Sequence, residues 1–237
     1  MMKTILIFLC LIAGHQTFAA DIEVPEEELA RDSVLPVFDT QRAVLNRNVL
    51  TNKRFEVAFG PGLEMNEPYY SDLMYTGQIT YNYSETSAIN IQGHYWNSGL
   101  STYGEQLKAG GTKFASFDAS KAPHPEWGVF VNYEYIAYYG KISLTKKSVM
   151  NLNLFGIAGA GYINMGDANT FGLNLGLGQN FFVTNNIGLR FDLRWLMFQG
   201  PNPTTQALGP NDNPSAEAFG DRIYYNTQMG LALVFVL

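Results

Sequence analysis

The stretch Ile187–Phe198, IGLRFDLRWLMF, sets large apolar side chains at every second position (Ile187, Leu189, Phe191, Leu193, Trp195, Met197), with Gly188, Arg190, Asp192 and Arg194 between them. A period of two places each set on its own face of a β-strand. The last residues, Met229–Leu237 (MGLALVFVL), repeat the pattern with Met229, Leu231, Leu233, Phe235 and Leu237. An apolar strand of this kind is an aggregation hazard in water unless protein or lipid covers it.

Composition narrows the choice. Only 15% of residues are charged, 14% are aromatic, glycine occurs 23 times and the net charge is −6. No basic footprint of a nucleic-acid binder is present. Residues 1–19 have the layout of a secretory signal: Lys3, the apolar run ILIFLCLIAG, then small residues before a cut after Ala19. The single cysteine, Cys10, lies inside that run behind Leu9, a poor lipidation context, so the chain from Ala20 onward has no thiol for a disulfide or a nucleophile. Beyond the signal no apolar run approaches the roughly 18 residues of a membrane-spanning helix.

From Lys53 onward eight segments alternate, each near the roughly 9–11 residues of a tilted membrane strand. They are RFEVAFGPGL, LMYTGQITYNY, SAINIQGHYWNS, a run from about Gly128 to Ser143, MNLNLFGIAGAGY, FGLNLGLGQNFF, the opening stretch, and a last run from near Arg222. Phe55, Val57, Phe59, Ile79, Ile89, Ile91, Val129 and Val131 fall on the apolar face, and Gln78, Asn82, Asn90, Gln92 and Asn132 on the other. In the fifth segment Phe155 and Ile157 break the polar pattern. SETS, TKKS and TNN read as tight turns, and the other four connections read as longer loops, which is the asymmetry of outer-membrane barrels. None of the ten prolines falls between Glu126 and Gly200, as a hydrogen-bonded wall requires.

Aromatic residues form two clusters. Tyr75, Tyr95, Trp96, Trp127, Tyr133 and Trp195 are assigned to the long-loop rim, and Tyr81, Tyr83, Tyr138, Tyr139 and Phe181 to the short-turn rim. Two such girdles mark lipid interfaces. A soluble sandwich or lipocalin-like barrel would put its apolar face inside, and the face rich in Asn, Gln, Arg, Asp and Glu could not fill a dry core. The expected fold is therefore an all-β, antiparallel, up-and-down transmembrane barrel of eight strands over residues 53–237, with a periplasmic arm over 20–52. Its location would be the bacterial outer membrane, with long loops outside and the last strand closing against the first.

The segments YYGKISLTKKSVMNLNLFGIAGAGY, VLPVFDTQRAVLNRNVLTNKRFEV and GLRFDLRWLMF resemble a family of small outer-membrane β-barrels of myxobacteria and Bdellovibrio-like bacteria. The resemblance implies an OmpA-type barrel without an appended peptidoglycan-binding domain, and it carries no catalytic residues over. Leu237 departs from the aromatic residue common at the end of such barrels, with Phe235 able to take that role.

The inward charges Glu56, Glu134, Arg190, Asp192 and Arg194, with His94 above them, are expected to pair across a lumen just wide enough for side chains to fill. That network would block passage rather than conduct. Catalysis on lipid would need a nucleophile and base in reach; His94 and His124 have no serine and acid in local register. No catalytic residue, metal site or cofactor is assigned. GIAGAG lacks the lysine and helix start of a phosphate loop, so its glycines are read as strand-curving. In the arm, VPEEELARD suits a short helix, while Val34, Leu35, Val37, Phe38, Val44 and Leu45 are too apolar for a free tail. They would plug the barrel's periplasmic mouth or contact a neighbour in a homo-oligomer. The function expected is structural, lipid-contacting and self-associating, with a passive pore, a surface-recognition protein and a lipid-modifying enzyme as alternatives. Expected partners are outer-membrane lipids, a second copy through the arm and barrel walls, and the barrel-assembly machinery during insertion, with no nucleic acid.

Overall fold

A computed structural model describes residues 48–110, 117–145, 148–166, 168–209 and 211–237. The signal, the arm helix and the arm contacts Val34, Leu35, Val37, Phe38, Val44 and Leu45 lie outside these residues. Eight antiparallel strands close into one barrel in sequence order: β1 (Arg54–Glu64), β2 (Tyr70–Asn82), β3 (Ser87–Leu100), β4 (Trp127–Thr145), β5 (Ser148–Met165), β6 (Ala168–Phe182), β7 (Ile187–Pro201) and β8 (Asp221–Val236). Closure joins β1 to β8, with Glu56 opposite Val236 and Leu63 opposite Met229. At the seam the Leu237 amide donates to the Phe55 carbonyl at 2.8 Å, and Arg54 Nε donates to the Leu237 carbonyl at 2.8 Å. A closed barrel leaves no edge strand to pair with another chain.

The distribution of side chains is inverted relative to a soluble barrel. Phe59, Ile79, Ile91, Val131, Leu175 and Leu177 are all more than half exposed on the outer wall, whereas Asn90, Gln92, Glu134, Arg190 and Arg194 are at most 1% exposed inside. In β5 the two residues that break the polar pattern, Phe155 and Ile157, point inward and form an apolar cluster with Ile136.

The connection between β5 and β6 differs from the expected loop. Gly166 follows Met165 directly and β6 begins at Ala168, so the hairpin is tight at the long-loop end. Gly166 has φ of 72°, a conformation open to glycine, and its amide donates to Asn164 Oδ1 at 3.3 Å. Three aromatic assignments also change. Trp96 continues the inward parity of Asn90, Gln92 and His94 and is 3% exposed. A register shift between Ile136 and Tyr138 turns Tyr139 inward, to 8% exposure. Tyr133 belongs to the short-turn end: barrel shear sets Ser87 opposite Tyr135, and the Ser87 and Tyr133 hydroxyls lie 3.0 Å apart. Tyr75, Tyr95 and Trp127 stand in adjacent register on the outer wall, as do Phe55 and Tyr81, and Tyr83 and Trp195 are exposed there too.

Two elements cover the ends. Val49, 2% exposed, packs with Ala58, Phe182, Ala232, Val234 and Val236 in the short-turn mouth. The amides of Asn48 and Val49 donate to the Tyr139 hydroxyl at 3.1 and 3.4 Å, which itself donates to Asn151 Oδ1 at 2.9 Å. Lys53, with φ of 59°, then turns the chain into β1. At the opposite end the β3–β4 connection, which includes helix α1 (Thr102–Lys108), packs on the β7–β8 connection. Lys121 Nζ donates to the carbonyls of Gly209 (2.8 Å) and Asp212 (2.7 Å), and Ala122, Leu208 and Phe219 form a small core beneath Phe117.

Candidate functional site

The lumen is built in layers, each from inward positions of several strands. Nearest the long loops lies an apolar plug of Met74, Trp96, Phe130, Ile163, Leu196 and Phe198. His94 belongs to this layer: its ring lies 5.4 Å from both Trp96 and Phe130, and Nδ1 is 3.1 Å from Thr76 Oγ1. Below it runs an amide ladder. Asn174 Nδ2 donates to Asn132 Oδ1 (3.1 Å), Asn132 Nδ2 to Asn90 Oδ1 (3.1 Å), and Asn90 Nδ2 to Thr80 Oγ1 (2.7 Å) and Gln78 Oε1 (3.2 Å). Buried amides cost stability unless paired, and this chain pairs them across β6, β4, β3 and β2.

The ion cluster completes the interior. Arg190 donates in a fork to Glu134, Nη2 to Oε2 at 2.8 Å and Nη1 to Oε1 at 3.3 Å, with both side chains 1% exposed. Its guanidinium carbon lies 3.8 Å from the Phe155 ring centre. Asp192 bridges the two arginines, 2.8 Å from Arg194 and 3.7 Å from Arg190. Glu56 accepts from Asn82 Nδ2 at 2.8 Å. The expected pairing of Glu134, Arg190, Asp192 and Arg194 is therefore present, with Glu56 held by an amide instead of a cation and His94 set apart among aromatic rings. Phe155, the apparent exception in β5, serves as the platform for Arg190.

Two interior acids, Glu64 and Asp72, were not singled out from the sequence. Glu64, the last residue of β1, accepts from Trp96 Nε1 (3.0 Å), Gln228 Nε2 (3.4 Å) and Asn226 Nδ2. Its signal was the even-numbered inward parity it shares with Glu56 and Ala58. With Glu67 and Asp72 it opens onto a cup at the long-loop mouth, beside His124. His124 Nδ1 lies 3.1 Å from the Ala122 carbonyl oxygen and its ring stacks on Tyr70 at 4.9 Å, so it faces an aromatic ring and a backbone oxygen, with no serine in the relation a hydrolase needs. Within the loops burial acts to raise the Asp118 carboxyl, but hydrogen bonds from Ser120 and the Lys108 ammonium at 3.1 Å together outweigh it and hold the carboxyl below its ordinary range.

The outer wall carries an apolar bay of about 350 Å³, where Gly156 and Ala158 leave a hollow between Tyr133, Tyr135, Leu175 and Trp195. These features define a closed, inverted eight-stranded barrel with a packed polar interior. No protein-family model matches the chain, and no curated protein matches it.

Proposed function

We propose that the protein is an OmpA-type small barrel of the bacterial outer membrane, non-enzymatic, holding a folded loop cap at the cell surface. The observation that carries this reading is the inversion itself: an outer wall of exposed Phe, Leu, Ile, Val and Tyr around an interior of buried amides and charges. Water would not tolerate that wall, and lipid would. In this reading the short turns and Asn48–Asn52 are periplasmic and the long loops extracellular. The barrel contacts lipid along its wall, and the hollow at Gly156 and Ala158 offers a place for a second copy to approach. The barrel-assembly machinery would insert it. The test is expression of the full chain in a Gram-negative host, followed by membrane fractionation and reconstitution into vesicles. Recovery in the outer membrane, resistance to alkaline extraction and heat-dependent gel mobility are expected; a stable water-soluble barrel would overturn the reading.

Surface recognition is favoured within this role by the cap. The described residues of its two long connections bury Leu208 and Phe219 and share the Lys121 hydrogen bonds, which ties the two connections together. A passive pore is disfavoured by the three filled layers. Planar bilayers holding the protein should stay silent, and steady single-channel steps would restore the pore.

A further inference from the structure

Glu64, Glu67 and Asp72 meet at the long-loop mouth in a cup walled by two stacked ring pairs. Tyr70 stacks on His124 at 4.9 Å, and Phe198 on Tyr224 at 5.0 Å with 10° between planes. The tyrosine hydroxyls are anchored outward from the rings, Tyr70 donating to the Ala119 carbonyl at 2.7 Å and Tyr224 to the Pro201 carbonyl at 2.6 Å. The walls are thus fixed before anything binds. The space open to water-sized groups is about 20 Å³, enough for one small polar group.

The three acids are not equivalent. Glu64 is satisfied by Trp96, Asn226 and Gln228. Asp72 is 5% exposed and lines the cup; the Ser98 hydroxyl stands beside its carboxyl from the opposite position on β3, and Oδ1 makes no well-formed hydrogen bond. A buried carboxylate oxygen left unpaired is costly, and a bound donor would remove that cost. Glu67 sits in the loop between β1 and β2; burial pushes its carboxyl up, opposed by a hydrogen bond from the Tyr69 backbone, with Asp72 adding to the rise and Arg222 opposing it. Arg222 itself is exposed, its guanidinium 5.2 Å from the Tyr224 ring centre, and among the described residues none of the three acids makes an ion pair. Nor do three acids or histidines there converge closely enough to hold a metal ion.

We propose that this cup binds a primary ammonium group, with Asp72 and Glu67 accepting its N–H groups, the ring pairs beside the cation and its hydrocarbon stem leading out of the mouth. Cation and ring faces attract, and a charged donor on a carboxylate makes the strong class of hydrogen bond. A bare metal ion would leave the aromatic walls without a role. The proposal needs only the fold and the cup, so it is independent of the membrane placement.

The experiment titrates the detergent-folded full chain with 1,5-diaminopentane, with pentanol and calcium chloride as comparisons. Calorimetry reads affinity, and a Trp127→Phe, Trp195→Phe background leaves Trp96, which donates to Glu64, as a fluorescent reporter. Saturable diamine binding is expected, weakened about tenfold or more by Asp72→Asn and by Glu67→Gln and unchanged by Glu217→Gln on the exposed cap. Pentanol should not bind. Failure of the diamine to saturate, equal affinity in the Asp72→Asn protein, or calcium binding tighter than the diamine would each overturn the proposal. If Asp72→Asn fails to fold, Glu67→Gln in its loop decides the outcome alone.

Discussion

Replacing Arg190 by methionine removes the centre of the ion cluster, and its cost can be worked from the contacts. Glu134 loses both donors of the fork while remaining 1% exposed, and the Phe155 face loses the cation stacked on it. Breaking a buried pair by deleting one partner costs on the order of 3–5 kcal/mol, because the survivor is an uncompensated charge. Glu56 is also buried and takes its hydrogen bond from the Asn82 amide, so the deletion removes a cation from a lumen that keeps both carboxylates. The upper half of that range, about 4–5 kcal/mol, is expected for Arg190→Met. Glu134→Gln should cost less, about 1–3 kcal/mol, since Arg190 keeps Asp192 at 3.7 Å and the Phe155 ring. The double variant Glu134→Met, Arg190→Met should recover most of the loss, as apolar replacement of a buried pair is often near neutral. Urea unfolding and refolding in detergent or vesicles, followed by tryptophan emission, measures all three. A double variant no more stable than Arg190→Met would refute the expected recovery, and one less stable than Arg190→Met by the full cost of Glu134→Met alone would mean that the two side chains are not coupled.

Three further outcomes are expected. A Cβ on Gly60 would sit 1.9 Å from the Leu231 carbonyl oxygen, so Gly60→Ala should strain the β1–β8 seam and cost about 2 kcal/mol or more, read as a lower urea midpoint; no change would show that the seam relaxes freely. Leu208→Ala, at a site 2% exposed in the cap core, should speed protease cleavage of residues 199–221 while leaving barrel stability within about 0.5 kcal/mol, and an intact cap would contradict its assigned anchor. Burial raises the Glu67 carboxyl above its unfolded value, so the folded state gains relative stability as pH falls through the raised value toward the unfolded one, and ammonium binding weakens over the same window; Glu67→Gln should flatten both curves.

The alternation was enough to read the barrel because lipid-type and lumen-type positions differ in polarity at almost every step, as in Leu173 through Gly178. Aromatic residues defeated the same logic. Trp96 and Tyr139 have bodies suited to a lipid interface, yet each carries a polar atom that found a buried partner, Glu64 for one and Asn151 for the other. Strand parity already pointed Trp96 inward, whereas Tyr139 depended on a bulge that leaves no mark in hydropathy. The ion cluster was legible because charges are scarce and their parity is shared. Its partition was not: that Glu56 takes an amide and Glu134 takes Arg190 follows from shear, which decides which rungs of distant strands face each other across the lumen. The mouth cup was hidden for a similar reason, since Glu64, Asp72 and His124 come from strand ends and a loop that only closure brings together.

The amide ladder has a bearing on assembly. Sliding one strand by a single residue turns its whole apolar set into the lumen, an error that hydrophobicity alone rejects. A slide of two residues keeps every side chain on its proper face, so alternation is blind to it. Such a slide would bring Phe130 or Glu134 to the height of Asn132 and strand the amides of Asn90 and Asn174 against a ring or a carboxylate. The chain of amides thus acts as a vernier inside the wall, rejecting the misaligned closures that the outer surface would accept.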